Sequence, residues 1–159
     1  MSFRFNCESL FESDFLQHYP TPDLLNSTAD KLRWYRLDNG YMQAEIADII
    51  GIYRSTYIYY ENPTRKFYEL DKLQLLADLY QIDIECLLDD YMLFLYRGQE
   101  KQLKAMRKEL GKTQQEFGKL INVPLGTVKQ WEQERCVIMY TSYIRVQKLI
   151  RNYIENRDF

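Results

Sequence analysis

The side chains of this sequence best able to do chemistry are its cations, and they are unevenly spread. Across residues 97–159, 13 Lys and Arg stand against 7 Asp and Glu, a surplus of +6; residues 1–30 and 31–90 each carry −4, and the whole chain −2. A basic C-terminal third suits binding of a polyanion, whereas the first two thirds would be mildly repelled by phosphate at long range. Other chemistries have no motif behind them. The sequence contains no phosphate loop, no cluster with metal-ligand spacing and no nucleophile with a nearby base, and its single histidine, His18, stands alone. The three cysteines, Cys7, Cys86 and Cys136, are far apart and form no CxxC, which predicts buried structural thiols. The expectation is a binding protein, not an enzyme, with no cofactor and no metal.

The elements that must position those cations come next. At 159 residues and 46% hydrophobic content the chain can bury a real core, enough for one large or two small domains. No window approaches the ~18 to 20 uninterrupted apolar residues of a membrane span. The start MSFRFNCESLFESD lacks the basic end and apolar run of a secretion signal, so a cytoplasmic protein without membrane contact is expected.

The chain also repeats itself. At an offset of 71 residues, LRWYRLDNGYMQAEIADIIGIYRSTYIYYE (Leu32 to Glu61) aligns without a gap on LKAMRKELGKTQQEFGKLINVPLGTVKQWE (Leu103 to Glu132). Shared identities include Arg36/Arg107, Gly40/Gly111, Gln43/Gln114, Glu45/Glu116, Thr56/Thr127 and Glu61/Glu132. Apolar residues match at Ile46/Phe117, Ile49/Leu120, Ile50/Ile121, Ile52/Val123, Tyr57/Val128 and Tyr60/Trp131. Ile46, Ile49 and Ile50, like Phe117, Leu120 and Ile121, have helical spacing, so each set predicts the core face of a two-turn helix. Gly51 and Asn122, both tolerant of positive φ, would end it. Ala47 and Gly118 are small enough to let a second helix approach. Ile52 or Val123 then plugs the core, and a second helix follows from about Arg54 or Leu125, with Tyr57 and Tyr60, or Val128 and Trp131, facing inward. That is a helix-turn-helix, twice.

These residues resemble the lambda-repressor-like, Cro/repressor (Xre-type) helix-turn-helix family. The resemblance runs from Lys31 to about Leu88 and again, shortened, from about Gln99 to Ile150. It implies an all-α fold of two tandem lambda-repressor-like domains: an N-terminal extension (1–28), a first domain of five helices (29–92) and a second, shortened domain with a long C-terminal helix (93–159). It also implies that Arg36 pairs with Glu61 and Arg107 with Glu132, tying the first helix to the recognition helix in a structural role. Leu73, Leu76, Ala77 and Leu79 suit a fourth helix from about Leu70 to Tyr80; Ile84, Leu87 and Leu88 suit a fifth. In the second copy Ile144, Leu149, Ile150 and Ile154 suggest one long helix, which either completes its core alone or borrows apolar surface. In the extension, Leu10, Phe11, Phe15 and Leu16 suit a short helix that packs on the first domain. Between the copies, Tyr91 to Gln99 is apolar without Pro or a Gly-Ser run, which argues for a buried junction holding two domains in a fixed relation.

The same resemblance implies that double-stranded DNA is the partner, read by recognition helices near 53–61 and 124–132. Carried over by position, the first copy offers Tyr53, Arg54, Ser55, Ile58 and Tyr59 outward, Thr56 near the DNA backbone, Gln43 to grip phosphate, and Arg65 and Lys66 in the following loop. Arg54 suits a bidentate guanine contact; the tyrosines suit either DNA or a protein interface. In the second copy the matching places hold Pro124, Leu125, Gly126, Thr127, Lys129 and Gln130, with Gln114, Lys112, Lys119 and Lys104 or Lys108 for phosphate. Thr113 and Glu116 form a capping box, which Met42 denies the first copy. A division of labour follows: affinity from the second copy, more of the sequence discrimination from the first. A sequence-specific transcriptional regulator of the bacterial or phage type is the expected function. The alternative is a protein-interaction module on the same fold, antirepressor or antitoxin-like, with a homodimer or protein partner engaged through the first domain.

Overall fold

The structure is a computed structural model that describes residues 7–156, with the backbone alone at residues 7–11 and 13. The side chains of Cys7, Leu10 and Phe11, expected above in a core role, lie outside what is described. Among the described residues every regular element is a helix. The chain divides into two compact units, Met1–Met92 and Leu93–Phe159.

Unit 1 begins with α1 (Cys7–His18), followed by a 3-10 turn (Pro22–Leu24), α2 (Thr28–Asp38), α3 (Gln43–Ile50), α4 (Arg54–Tyr60) and α5 (Leu70–Tyr80). Each boundary has a local cause. Ser27 caps α2 by accepting a hydrogen bond from the Asp30 amide at 3.1 Å. Gly51 stops α3 at φ +69°, and the Ile52 amide then bonds back to the Ala47 carbonyl at 2.9 Å, closing the turn into α4. Leu32, Ile46, Ile50, Tyr57, Tyr60, Tyr68, Leu73 and Leu76 fill the core. The expected fifth helix is only a 3-10 turn, Ile84–Leu87, capped by Asp83; α6 (Asp90–Tyr96) follows and crosses the division between the units. Ile84, Leu87 and Leu88 are nevertheless buried, so one turn suffices to seat all three.

The extension packs on unit 1 through α1, as its apolar residues suggested. Arg33 of α2 lies over the Phe15 ring at 4.5 Å, and the Trp34 indole donates to the Tyr19 carbonyl at 2.7 Å.

Unit 2 contains α7 (Gln99–Glu109), α8 (Gln114–Leu120), α9 (Leu125–Trp131) and α10 (Tyr140–Glu155). Asn122 ends α8 at φ +56° and the Val123 amide bonds to the Gly118 carbonyl at 2.8 Å, the counterpart of Gly51 and Ile52. The core holds Leu103, Phe117, Ile121, Val128, Trp131, Ile138, Tyr143 and Val146. Gln99, the first residue of α7, is itself buried: its amide donates to the Cys136 carbonyl at 2.6 Å and accepts from the Ile138 amide at 2.8 Å. It thereby clamps the loop after α9. The shortened unit closes its core with Phe94, whose ring lies 5.1 Å from that of Tyr143 on α10.

Three expectations about burial need correction. Ile49 and Leu120 are about half exposed, and the residues that turn inward are Ile46, Ala47 and Ile50, or Phe117, Gly118 and Ile121. At Gly118 the following turn and helix pack too close to admit a Cβ, so the buried face centres on that small residue and away from the third apolar position; Ala47 is buried at the matching place. On α10 the inward residues are Tyr143 and Val146, while Ile144 and Ile154 are exposed. Finally, Cys86 is exposed and Cys136 half-buried, so neither is a buried structural thiol.

Candidate nucleic-acid interface

In each unit one carboxylate gathers the helices of the expected DNA-reading face. Glu61, at the C-terminal cap of α4, accepts from Arg36 Nε at 2.5 Å and Nη2 at 3.0 Å, and from Gln43 Nε2 at 2.9 Å. Glu132, capping α9, accepts from Arg107 Nε at 2.7 Å and Nη2 at 3.0 Å, and from Gln114 Nε2 at 2.9 Å. The guanidinium of each arginine also donates 3.0 Å to the carbonyl opening the next helix, Tyr41 or Lys112. Three helices are thus tied by charge-assisted bonds at matched positions. Both glutamines are engaged in the cluster, Gln43 with the end of α4 and Gln114 with the end of α9. Burial disfavours the charge on Glu132, but the bonds from Arg107 and Gln114 outweigh it and hold the carboxyl below its ordinary value. On Arg36 burial likewise opposes the charge, and Glu61 more than restores it.

The approach of α9 to α8 is close enough to forbid a side chain at 118. A Cβ there would stand 2.7 Å from the Val123 carbonyl oxygen and 3.2 Å from Val128 Cγ2. Unit 1 tolerates Ala47 at the matching place. The α8 amino end is held by Thr113, whose hydroxyl accepts from the Glu116 amide at 3.2 Å while Glu116 accepts from the Thr113 amide at 2.8 Å. The Thr113 amide and hydroxyl, both donating to the Glu116 carboxylate, hold it below its ordinary value. In α3 only half of that box exists: Glu45 accepts from the Met42 amide at 2.7 Å and Met42 returns nothing through its side chain.

On the outer surface of unit 1, Tyr53 (84% exposed), Arg54, Ser55, Ile58 and Tyr59 face outward and Thr56 is half-buried. Arg65 is differently placed from what the sequence suggested. Its guanidinium lies over the rings of Tyr59, Tyr60 and Tyr68 at 5.0, 4.2 and 5.2 Å, and its Nε donates to the Phe67 carbonyl at 2.8 Å. The loop arginine therefore staples the segment after α4 to the aromatic core. Lys66 donates to the Pro63 carbonyl at 2.9 Å. On unit 2, Lys112, Lys119, Gly126, Lys129 and Gln130 are exposed and Leu125 and Thr127 half-buried; Lys108 is exposed, while Lys104 pairs with Glu100. The Gln130 side chain accepts from the Cys136 thiol at 3.6 Å.

Two cations that sequence reasoning passed over have matched structural roles. Lys72 on α5 donates 3.0 Å to the Ile50 carbonyl, and Arg145 on α10 lies 3.5 and 3.4 Å from the Ile121 and Asn122 carbonyls, each capping the end of the helix before the turn. Their spacing differs from the 71-residue offset by two, since Lys72 is the third residue of its helix and Arg145 the sixth, which hid the correspondence. Glu12 of α1, also unforeseen, lies 3.4 Å from Arg36. Among the described residues no group of three or more His, Cys, Asp or Glu is placed to hold a metal ion, and no helix is long and apolar enough to cross a membrane.

No curated protein and no solved structure matches the chain. Residues 103–151, which run from α7 through α8 and α9 into α10, match the family model of the helix-turn-helix (HTH_3) domains.

Proposed function

We propose that this protein is a sequence-specific double-stranded DNA-binding regulator of the bacterial or phage type, using two lambda-repressor-like helix-turn-helix copies in one chain, and that it acts by binding and not by catalysis. The observation that carries this is the matched cluster at the recognition helices. Arg107, Glu132 and Gln114 in unit 2, and Arg36, Glu61 and Gln43 in unit 1, fix each recognition helix with its outer face clear. Around α9 that face is rimmed by Lys112, Lys119 and Lys129, which suit phosphate, while α4 presents Arg54 for a base edge. The helix-turn-helix match over unit 2 supports the same assignment.

Unit 1 also suits contact with another protein, since Met42, Ile49, Tyr53, Ile58 and Tyr59 leave apolar surface in the open and Arg65 is turned into the tyrosine stack. Titration of the full chain against random duplex DNA at about 50 and about 200 mM salt separates the two roles. Binding that falls steeply with salt supports the DNA-binding assignment; no binding at the lower salt defeats it.

A further inference from the structure

Arg36 and Arg107 make the same three bonds to two matched partners, a glutamate and a backbone carbonyl, yet unit 1 adds a third partner. The Glu12 carboxylate on α1 accepts from both Nη1 and Nη2 of Arg36 at 3.4 Å, closing the fork of the guanidinium on the side away from Glu61. Arg107 has no second carboxylate among the described residues, and its side chain is 16% exposed against 3% for Arg36. Glu12 also lines a groove of about 470 Å³ whose other walls include Arg33, Gln43, Glu61 and Ile58. Gln43 opens α3 and Ile58 lies on the outer face of α4, so the groove borders the surface on which a duplex would lie. An anionic oxygen set between the two Nη groups of a guanidinium is in the geometry in which arginine takes a phosphate.

We infer that Glu12 is a built-in substitute for a DNA phosphate: it fills the anion fork of Arg36, and α1 must yield that position before unit 1 can grip the backbone. The inference rests on the DNA-binding function proposed above and goes beyond it in assigning α1 a restraining role. Glu12 is suited to yield because its side chain is 39% exposed and its bonds are long. The exchange breaks two hydrogen bonds from Arg36 to a carboxylate and makes two to a phosphate, with no change in protonation.

The test compares Glu12→Ala with Asp14→Ala in the full chain. Both remove one negative charge from α1 and both install the best helix former, but Asp14 is exposed. Affinity for a labelled random duplex is measured across a salt series. Glu12→Ala is expected to tighten binding by about threefold to tenfold at low salt and to steepen the slope of log K against log salt by about 0.9, the signature of one added phosphate contact. Asp14→Ala is expected to change affinity by less than about twofold with the slope unmoved. Equal gains from both variants, or no gain from Glu12→Ala in a chain that binds DNA, overturn the restraint and leave the DNA-binding function standing. Failure of parent and variants alike to bind at low salt overturns both.

Discussion

Units 1 and 2 solve the same positioning problem with opposite surroundings. Unit 1 sets α4 in an aromatic, acidic frame: Tyr57, Tyr60, Tyr68 and Tyr80 are buried together, Arg36 is enclosed by Glu61 and Glu12, and Arg65 is stacked on three rings. Unit 2 replaces Tyr57 and Tyr60 with Val128 and Trp131, leaves Arg107 partly open, and exposes lysines at 112, 119 and 129. What is shared is the geometry of helix attachment, and what differs is the charge and polarity of everything outside it. A helix at this place can thus be held by one small set of bonds while the surface around it varies independently.

Because each unit contains one tryptophan, Trp34 or Trp131, single-tryptophan variants would report the unfolding of each unit separately. The largest expected contrast is at the ion clusters. Arg36→Met leaves Glu61 uncompensated and is expected to cost unit 1 about 3 to 5 kcal/mol in urea denaturation; Arg107→Met should cost unit 2 less, because water can reach its site. Equal costs would mean the enclosure by α1 has no energetic weight.

Next in size is the contact at the turn. Gly118→Ala is expected to destabilise unit 2 by about 1 to 3 kcal/mol, since the clashing Val123 oxygen is backbone and cannot swing aside. Ala47→Gly, the reverse exchange in unit 1, should cost about 1 kcal/mol through helix propensity alone. If Gly118→Ala is neutral, the two turns are not packed differently.

Charge reversal probes the division of labour. Lys112→Glu combined with Lys119→Glu should weaken binding to random and preferred duplexes alike, by about tenfold or more at low salt. Arg54→Ala should leave random DNA unaffected and cost about 1 to 3 kcal/mol on a preferred site, which selection from a random pool would supply. Unchanged affinity in the lysine variant together with abolished binding in Arg54→Ala would reverse the assignment.

Titration should also part the units at high pH. Burial raises the phenols of Tyr57, Tyr60, Tyr68 and Tyr80 above their ordinary 10.0. Groups raised on folding contribute stability that is complete below pH 10 and is lost as pH climbs toward their folded values, so unit 1 should unfold in alkali before unit 2. At low pH the sign reverses for Glu132: its lowered carboxyl contributes above the ordinary 4.5 and that contribution disappears as pH falls through the folded value. The smallest effect is expected from Tyr57→Phe. The Tyr57 hydroxyl is buried beside Glu61 and the Tyr80 hydroxyl with no bond of good geometry to either, so its removal should change the stability of unit 1 by no more than about 1 kcal/mol. A large loss would reveal a bond from this hydroxyl.

Much of the frame was legible from residue types. The starts of α3, α4, α8 and α9, the positive φ at Gly51 and Asn122, and the inward pairs Tyr57/Tyr60 and Val128/Trp131 follow from local spacing and backbone preference, whereas α4 and α9 stop two and three residues short of the Asn62 and Glu134 that the pattern suggests. The Arg–Glu pairs were foreseen through resemblance to a repressor-like family. Less legible was the rotation of each helix. Ile49 and Leu120 carry an apolar signature and are still turned outward, because a two-turn helix with three apolar residues can face its core in more than one way, and the close approach at Gly118, with Ala47 buried at the matching place, selects one. Exposed cations were the least legible. A loop arginine reads as a phosphate contact until Tyr59, Tyr60 and Tyr68 are found beneath it, and Lys72 and Arg145 read as solvated charge until the carbonyls they cap are in view.

The sequence by itself determined the helical units, their turns and the opposite charge of the two halves, because these depend on periodicity, on φ preferences and on counts that no packing can alter. Tertiary structure alone decided which cations remain available. Whether Arg36 faces Glu12 and whether Gln43 and Gln114 serve a glutamate are matters of which side chains meet across 18 to 24 residues of chain, and whether Arg65 lies on rings depends on how its loop folds back on α4. Such meetings depend on how helices pack, and local pattern does not encode them.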